Sequence, residues 1–175
     1  MLLAWGLMCL VSCGTPWNAE SVDGKVWRSP QPNREEFSRL KQQGVGEVLN
    51  LRQWNSDDGE AEGLVLHRVR MNAGDIGDEQ MLEALLVLTE AESPVLVHCW
   101  HGADRTGVVV AMYRMVVQRW SRERAIAELM EPRFGHHAAV YPNIREYLES
   151  VDIDAMRRRL AEARETKMRS KIPAD

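Results

Sequence analysis

At 175 residues, with 45% apolar and 27% charged residues, the chain fits one globular domain with room for a sizeable core. Its net charge of −4 argues against a general nucleic-acid binder, whose surface would be basic, but leaves room for a local basic pocket. Three cysteines, Cys9, Cys13 and Cys99, are too few and too unevenly placed for a disulfide scaffold.

The first segment, "MLLAWGLMCLVSC", is apolar from its second residue and too short to span a bilayer. It reads as the core of a secretory signal. Leu10-Val11-Ser12-Cys13 resembles a bacterial lipoprotein box, which makes Cys13 the candidate lipid anchor of an exported protein, membrane-anchored or periplasmic. No Lys or Arg precedes the run, and a cytoplasmic location is the alternative. Residues 14–24 are polar and turn-rich, a tether, and residues 25–175 form the domain.

"VWRSPQPNREEFSRLKQQGVGEVLNLR" reads as strand, turn, helix, turn, strand, with Asn33 as N-cap and Phe37 and Leu40 on the buried helix face. "NSDDGE", with Asp57 and Asp58, reads as a solvated loop. Alternation in "LVLHRVRM" predicts a half-buried strand, followed by the Gly/Asp loop "NAGDIGD". Asp78 is placed as N-cap of a helix that buries Leu82, Leu85, Leu86 and Thr89. The continuous apolar run "VLVH" predicts a central strand, and the helix after Arg105 is apolar nearly all round, hence buried. Ser121 caps a further helix, and a last one begins near Asn143 with Ile144, Tyr147, Leu148 and Val151 in register. Its basic end, "MRRRLAEARETKMRSK", reads as a solvated face. Strands alternating with helices predict a single three-layer α/β/α domain around a mostly parallel sheet.

The chemistry sits in "VLVHCWHGADRTGVVV". A tight turn from a buried strand into a helix N-terminus aims successive backbone N–H groups inward and makes an anion nest. Gly102 suits the turn because it lacks a Cβ. A thiol at Cys99 faces the helix dipole and a guanidinium, both of which favour the thiolate. Arg105 can grip two phosphoryl oxygens at once, and Thr106 can donate its hydroxyl to the sulfur. The parts describe a nucleophile built to attack bound phosphate. A buried, inert cysteine is the competing reading. His98, Cys99 and His101 cluster too, but their spacing fits no standard zinc pattern.

"HCWHGADRTG" resembles the His-Cys-x5-Arg-Thr-Gly signature of the protein tyrosine and dual-specificity phosphatase superfamily, especially its small bacterial atypical members. The likeness extends over roughly residues 25–150 through "WRSPQPN" and "VLNLR". A sulfurtransferase of the rhodanese kind would lack the x5-Arg-Thr-Gly closure. The resemblance implies a dual-specificity-phosphatase-like fold and hydrolysis through a phosphocysteine on Cys99, with no metal or other cofactor. Arg105 then binds phosphate together with the Trp100, His101, Gly102, Ala103 and Thr106 segment.

A carboxylic acid must also protonate the leaving oxygen and later activate water. Asp104, directly before the signature arginine, is ranked first, as in bacterial lipid-like and myotubularin-like phosphatases. Asp75, on the Gly-flanked loop upstream, is second and Asp78 third. The expected partner is a phosphorylated small molecule or phosphopeptide, with no nucleic acid, and membrane contact only through Cys13. Arg52, His67, Arg68, Arg70, Lys25 and "RFGHH" are candidates for a site that takes a highly phosphorylated ligand. Phytate-like inositol polyphosphates lead, followed by phosphotyrosine peptides. A phosphate-binding scaffold without activity is the alternative of another class.

Overall fold

The computed structural model describes residues 19–170, so the expectations for the leader and for Cys13 lie outside the described residues. Alternation along the strands organises the domain. Val48 of β3 (Glu47–Asn50) and Leu96 of β5 (Val95–His98) point to one side of the sheet, where Phe37 and Leu40 of α1 (Arg34–Gln42) cover them. Leu49, Val95, Val97 and Val26 point to the other side, into the larger core. That core is built by α2 (Asp78–Glu90), α3 (Asp104–Val116), α4 (Arg122–Leu129), α5 (Pro142–Ser150) and α6 (Ile153–Ser170). The result is the expected three-layer domain, with one helix on one face and five on the other among the described residues.

The sheet order is β1-β2-β5-β3-β4, with β2 at Val26–Ser29 and β4 at Val65–Arg68. The pairs β2·β5, β5·β3 and β3·β4 are parallel, and among the described residues only the short β1 (Glu20–Ser21) joins the sheet antiparallel. Residues 20–24 are therefore tied to the domain rather than free as a tether; Asp23 accepts from the Val26 and Lys25 backbone and from Tyr113. Every residue of β5 is buried, as the apolar run predicted, and α3 behind it contacts α2, α4, α5 and α6. Ligands of such parallel sheets gather where strands end and helices begin.

Local signals set most helix starts. Asn33 forms a capping box with Glu36, and the Ser121 hydroxyl caps α4. Four expectations are corrected. Gly77, not Asp78, is the N-cap of α2; its N–H donates to Gln80 Oε1 while Asp78 opens the first turn, and the buried stripe is Met81, Ala84, Leu85 and Leu88, one residue ahead of the predicted face. The last helix is two, broken at Val151–Asp152, because the Asp152 carboxylate caps α6 through the Ala155 N–H and Arg122 takes up the carbonyls of Leu148 and Val151. The basic end of α6 is not merely solvated: Arg157 donates to the last carbonyls of α3, and Arg159 and Arg164 pair with Glu79 and Glu90 on α2.

Candidate active site

The loop 99–103 leaves the buried end of β5 and enters α3. Two bonds from behind shape it: Gln31 N–H donates to the Trp100 carbonyl at 3.0 Å, and Arg28 Nη2 to the Gly102 carbonyl at 3.0 Å. Across planar peptides, the N–H groups of His101 and Ala103 then face the opposite way, toward the inside of the loop. Gly102 is required here. Its φ is +69°, and a Cβ would sit 2.5 Å from Pro30 N and 2.6 Å from the Ser29 carbonyl. Cys99, Gly102, Ala103, Asp104 and Thr106 are buried, whereas Trp100 and His101 are exposed.

Arg28 is the buried cation under this loop. Its guanidinium lies 3.8 Å from the Phe134 ring, and burial pushes its pKa down to about 10, opposed by the charges of Glu128, Glu20 and Cys99. It stays charged at neutral pH and adds positive potential beneath the nest. Arg105 enters a hollow of about 330 Å³ that Arg52, Trp100, Asn72, Ala73 and Tyr141 also line. Its Nε and the Thr106 hydroxyl are buried donors with no partner, so the expected bond from Thr106 to the Cys99 sulfur is not made. Two orphaned donors in the first turn of the helix that follows an N–H nest are what an incoming oxyanion would satisfy.

Behind the loop, His98 is wholly buried and its Nε2 lies 2.9 Å from Asp57 Oδ2. Asn50 donates to the same oxygen and Gln31 to the other. Asp57, read from sequence as part of a solvated loop, is thus a buried anchor. Burial pushes its carboxyl up, but the His98 bond and charge and the two amides outweigh that and hold it below the usual carboxylate range.

Asp104 opens α3 with both oxygens engaged. Oδ1 takes His136 Nδ1 at 2.8 Å and the His137 N–H at 2.9 Å, and Oδ2 takes His137 Nδ1 at 2.8 Å. Burial raises its pKa, yet the His137 backbone and the two imidazoles bring it below the ordinary value. Asp75 is exposed, held in a turn by its N–H to the Asn72 carbonyl, just beyond the Asn72–Ala73 wall of the Arg105 hollow. Asp78 faces elsewhere: Tyr147 donates to it at 2.9 Å and Arg159 approaches it at 3.9 Å.

Of the other predicted cations, Arg52 reaches the hollow, its guanidinium over the Trp100 ring. His101 and Arg133 line a second hollow of about 390 Å³ with Arg28. His67 pairs with Glu47, Arg68 holds the Arg52 and Gln53 carbonyls, and Lys25 binds the Thr89 carbonyl, so these three are structural. Sequence reasoning missed Arg28 and Asp57, whose partners lie 74 and 41 residues away, where no local pattern points.

Comparison with known proteins agrees with this geometry. A model of the tyrosine phosphatase family matches residues 15–169. The dual specificity protein phosphatase TpbA of Pseudomonas aeruginosa is 33% identical over 150 residues, covering 82% of this chain and 67% of its own. The inositol diphosphatase SIW14 of Saccharomyces cerevisiae is 28% identical over 155 residues, covering 82% of this chain and 54% of its own. The crystal structure of TpbA superposes with a TM-score of 0.73 at 29% identity, over 84% of this chain and 98% of that one; a second TpbA structure is a complex with phosphotyrosine. The Siw14 catalytic domain superposes with a TM-score of 0.70 at 25% identity, over 85% of this chain and 94% of that one. The chain therefore belongs to the tyrosine phosphatase family, and it is a phosphatase of the cysteine-dependent, dual-specificity-like kind.

Proposed function

We propose that the enzyme hydrolyses phosphomonoesters of inositol polyphosphates through a phosphocysteine on Cys99, with no metal in the chemical step. Cys99 Sγ attacks phosphorus as the ester P–O bond breaks, and a carboxylic acid gives its proton to the departing oxygen. Water then attacks the phosphocysteine, that carboxylate takes the proton, and phosphate leaves with the thiolate restored. The nest N–H groups, Arg105 and Thr106 hold the phosphoryl oxygens in both steps.

The observation that carries the substrate reading is Arg52 beside Arg105 in one hollow: a second guanidinium serves a ligand with a second phosphate nearby. Phosphotyrosine is the second reading, favoured by the exposed Trp54 and Trp100 and by Tyr141 around the same hollow, which can flank a phenyl ring. A phosphate-release panel in chelator separates the two. Arg52→Ala is expected to raise KM for inositol phosphates about 10-fold and to leave a small aryl phosphate unaffected. Release from phosphotyrosine peptides but from no inositol phosphate would overturn the first reading.

For the acid we place Asp75 ahead of Asp104, reversing the order read from sequence. The Asp104 oxygens already accept three hydrogen bonds, whereas Asp75 is exposed at the rim. Asp75→Asn should lower kcat about 10²-fold or more on an alkyl phosphate and far less on an aryl phosphate with a good leaving group. A loss of that size in Asp104→Asn with Asp75→Asn near wild type returns the role to Asp104.

A further inference from the structure

Beside the Cys99 loop, three side chains from separate segments converge. His101 belongs to the loop, Asp104 is the first residue of α3, and His137 follows the short 3-10 turn at Pro132–Phe134. One nitrogen or oxygen from each lies within 4.8 Å of the others, and the His101 and His137 rings are 5.3 Å apart. We propose that His101, Asp104 and His137 form a binding site for a zinc-class divalent cation, distinct from the Cys99 nest. The proposal does not depend on which phosphoester is hydrolysed.

Two imidazoles and one carboxylate with an open fourth position are a donor set that zinc takes, and neither cysteine nor further acids are needed. The carboxylate is held from behind. His136, whose side chain is 2% exposed, donates Nδ1–H to Asp104 Oδ1, and the His137 N–H donates to the same oxygen. That leaves Oδ2, which faces His137 Nδ1, for a cation, with its orientation already set. His137 is 44% exposed and His101 lies at the surface, so a hydrated ion can enter from solvent while Asp104 closes the floor.

The fit needs one adjustment. Ligand atoms around tetrahedral zinc stand roughly 3.4 Å apart, as bonds of about 2.1 Å require. The Asp104–His137 contact of 2.8 Å opens slightly as the imidazole proton shifts from Nδ1 to Nε2 and Nδ1 takes the cation, and the exposed His101 ring swings in to close the wider gaps.

The test is a titration of the full chain with Co²⁺ in phosphate-free buffer, read by visible absorption, with Zn²⁺ as competitor. Wild type is expected to give a tetrahedral spectrum that Zn²⁺ abolishes, without a sulfur-to-cobalt charge-transfer band from Cys99. Cys99→Ser should bind unchanged. His101→Gln and His137→Gln, both at exposed side chains that fold normally by circular dichroism, should each weaken binding about 10-fold or more. Binding lost in Cys99→Ser, binding retained in both histidine variants, or no uptake of either metal by wild type would overturn the site.

Discussion

Two buried carboxylates brace the Cys99 loop, and they differ in what stands on their outer side. Asp57 meets His98, which is 0% exposed, the buried Asn50 amide and the half-buried Gln31 amide, so its charge partner is wholly enclosed. Asp104 meets His136 and His137, and His137 is 44% exposed. The first is a foundation under the strand that delivers the nucleophile. The second is a joint between the loop and the segment after α4, with one face open to water. Equal burial of the two acids therefore does not mean equal function: the enclosed network sets stability, whereas the open one can exchange partners.

The largest effect belongs to the foundation. Asp57→Ala leaves the buried His98 Nε2 without its partner, takes from Asn50 and Gln31 one of two acceptors each, and should cost about 3–5 kcal/mol. At this chain length, that lowers Tm by about 10 °C in calorimetry. Asp57→Asn, which keeps one acceptor oxygen, should recover part of it. A loss no larger than that of Asp104→Ala would erase the distinction between the two carboxylates.

The order of the strands and of most helices, the central β5, the buried α3 and the tight turn that carries Cys99 are legible because each rests on local pattern: apolar runs, caps, and a glycine at a turn. Asp57 was not. "NSDDGE" is polar throughout, and only the return of that loop behind β5 turns one of its acids inward, 41 residues from its histidine. The face of α2 slipped by one because residues 84–88 are apolar in succession, so two adjacent stripes fit the same run, and the sheet chose between them. The break before α6 had a signal, Asp152 three residues before Ala155, overshadowed by helical spacing on both sides.

Next in size is the turn itself. Gly102→Ala sets a Cβ against the backbone of Ser29 and Pro30 at positive φ, with no flexible side chain to give way. About 2–3 kcal/mol of destabilisation is expected by urea melt, from strain at φ > 0 plus the backbone shift. Activity should fall more steeply than stability, because the same shift moves the His101 and Ala103 N–H groups. Unchanged kcat in a destabilised Gly102→Ala would mean that the nest does not hold the reacting phosphate.

Acid separates the two regions less strongly. Asp57 and Asp104 both have folded pKa values below their unfolded ones, so each contributes stability above an unfolded value of about 4 and loses it as pH falls through the lower folded value. The urea midpoint should be flat between about pH 5 and 7 and drop below about pH 4. In Asp57→Ala the drop should be shallower, since one of the protons taken up on unfolding is gone. An identical slope in variant and wild type would place the acid sensitivity in other carboxylates.

The smallest expected change is the one that best defines the joint. Asp104→Asn keeps the shape and one acceptor, and its amide loses the charge that His136 and His137 share. Because His137 is partly solvated, water can replace what the carboxylate supplied, and about 1–2 kcal/mol of stability should go. With Asp75 as the acid, kcat on an alkyl phosphate should fall less than about 10-fold, through looser placement of Arg105 at the next position. The slope of log kcat against leaving-group pKa distinguishes this from a lost proton donor. It should match wild type in Asp104→Asn and steepen in Asp75→Asn, because only removal of the donor makes the rate depend on how well the leaving oxygen bears its own charge.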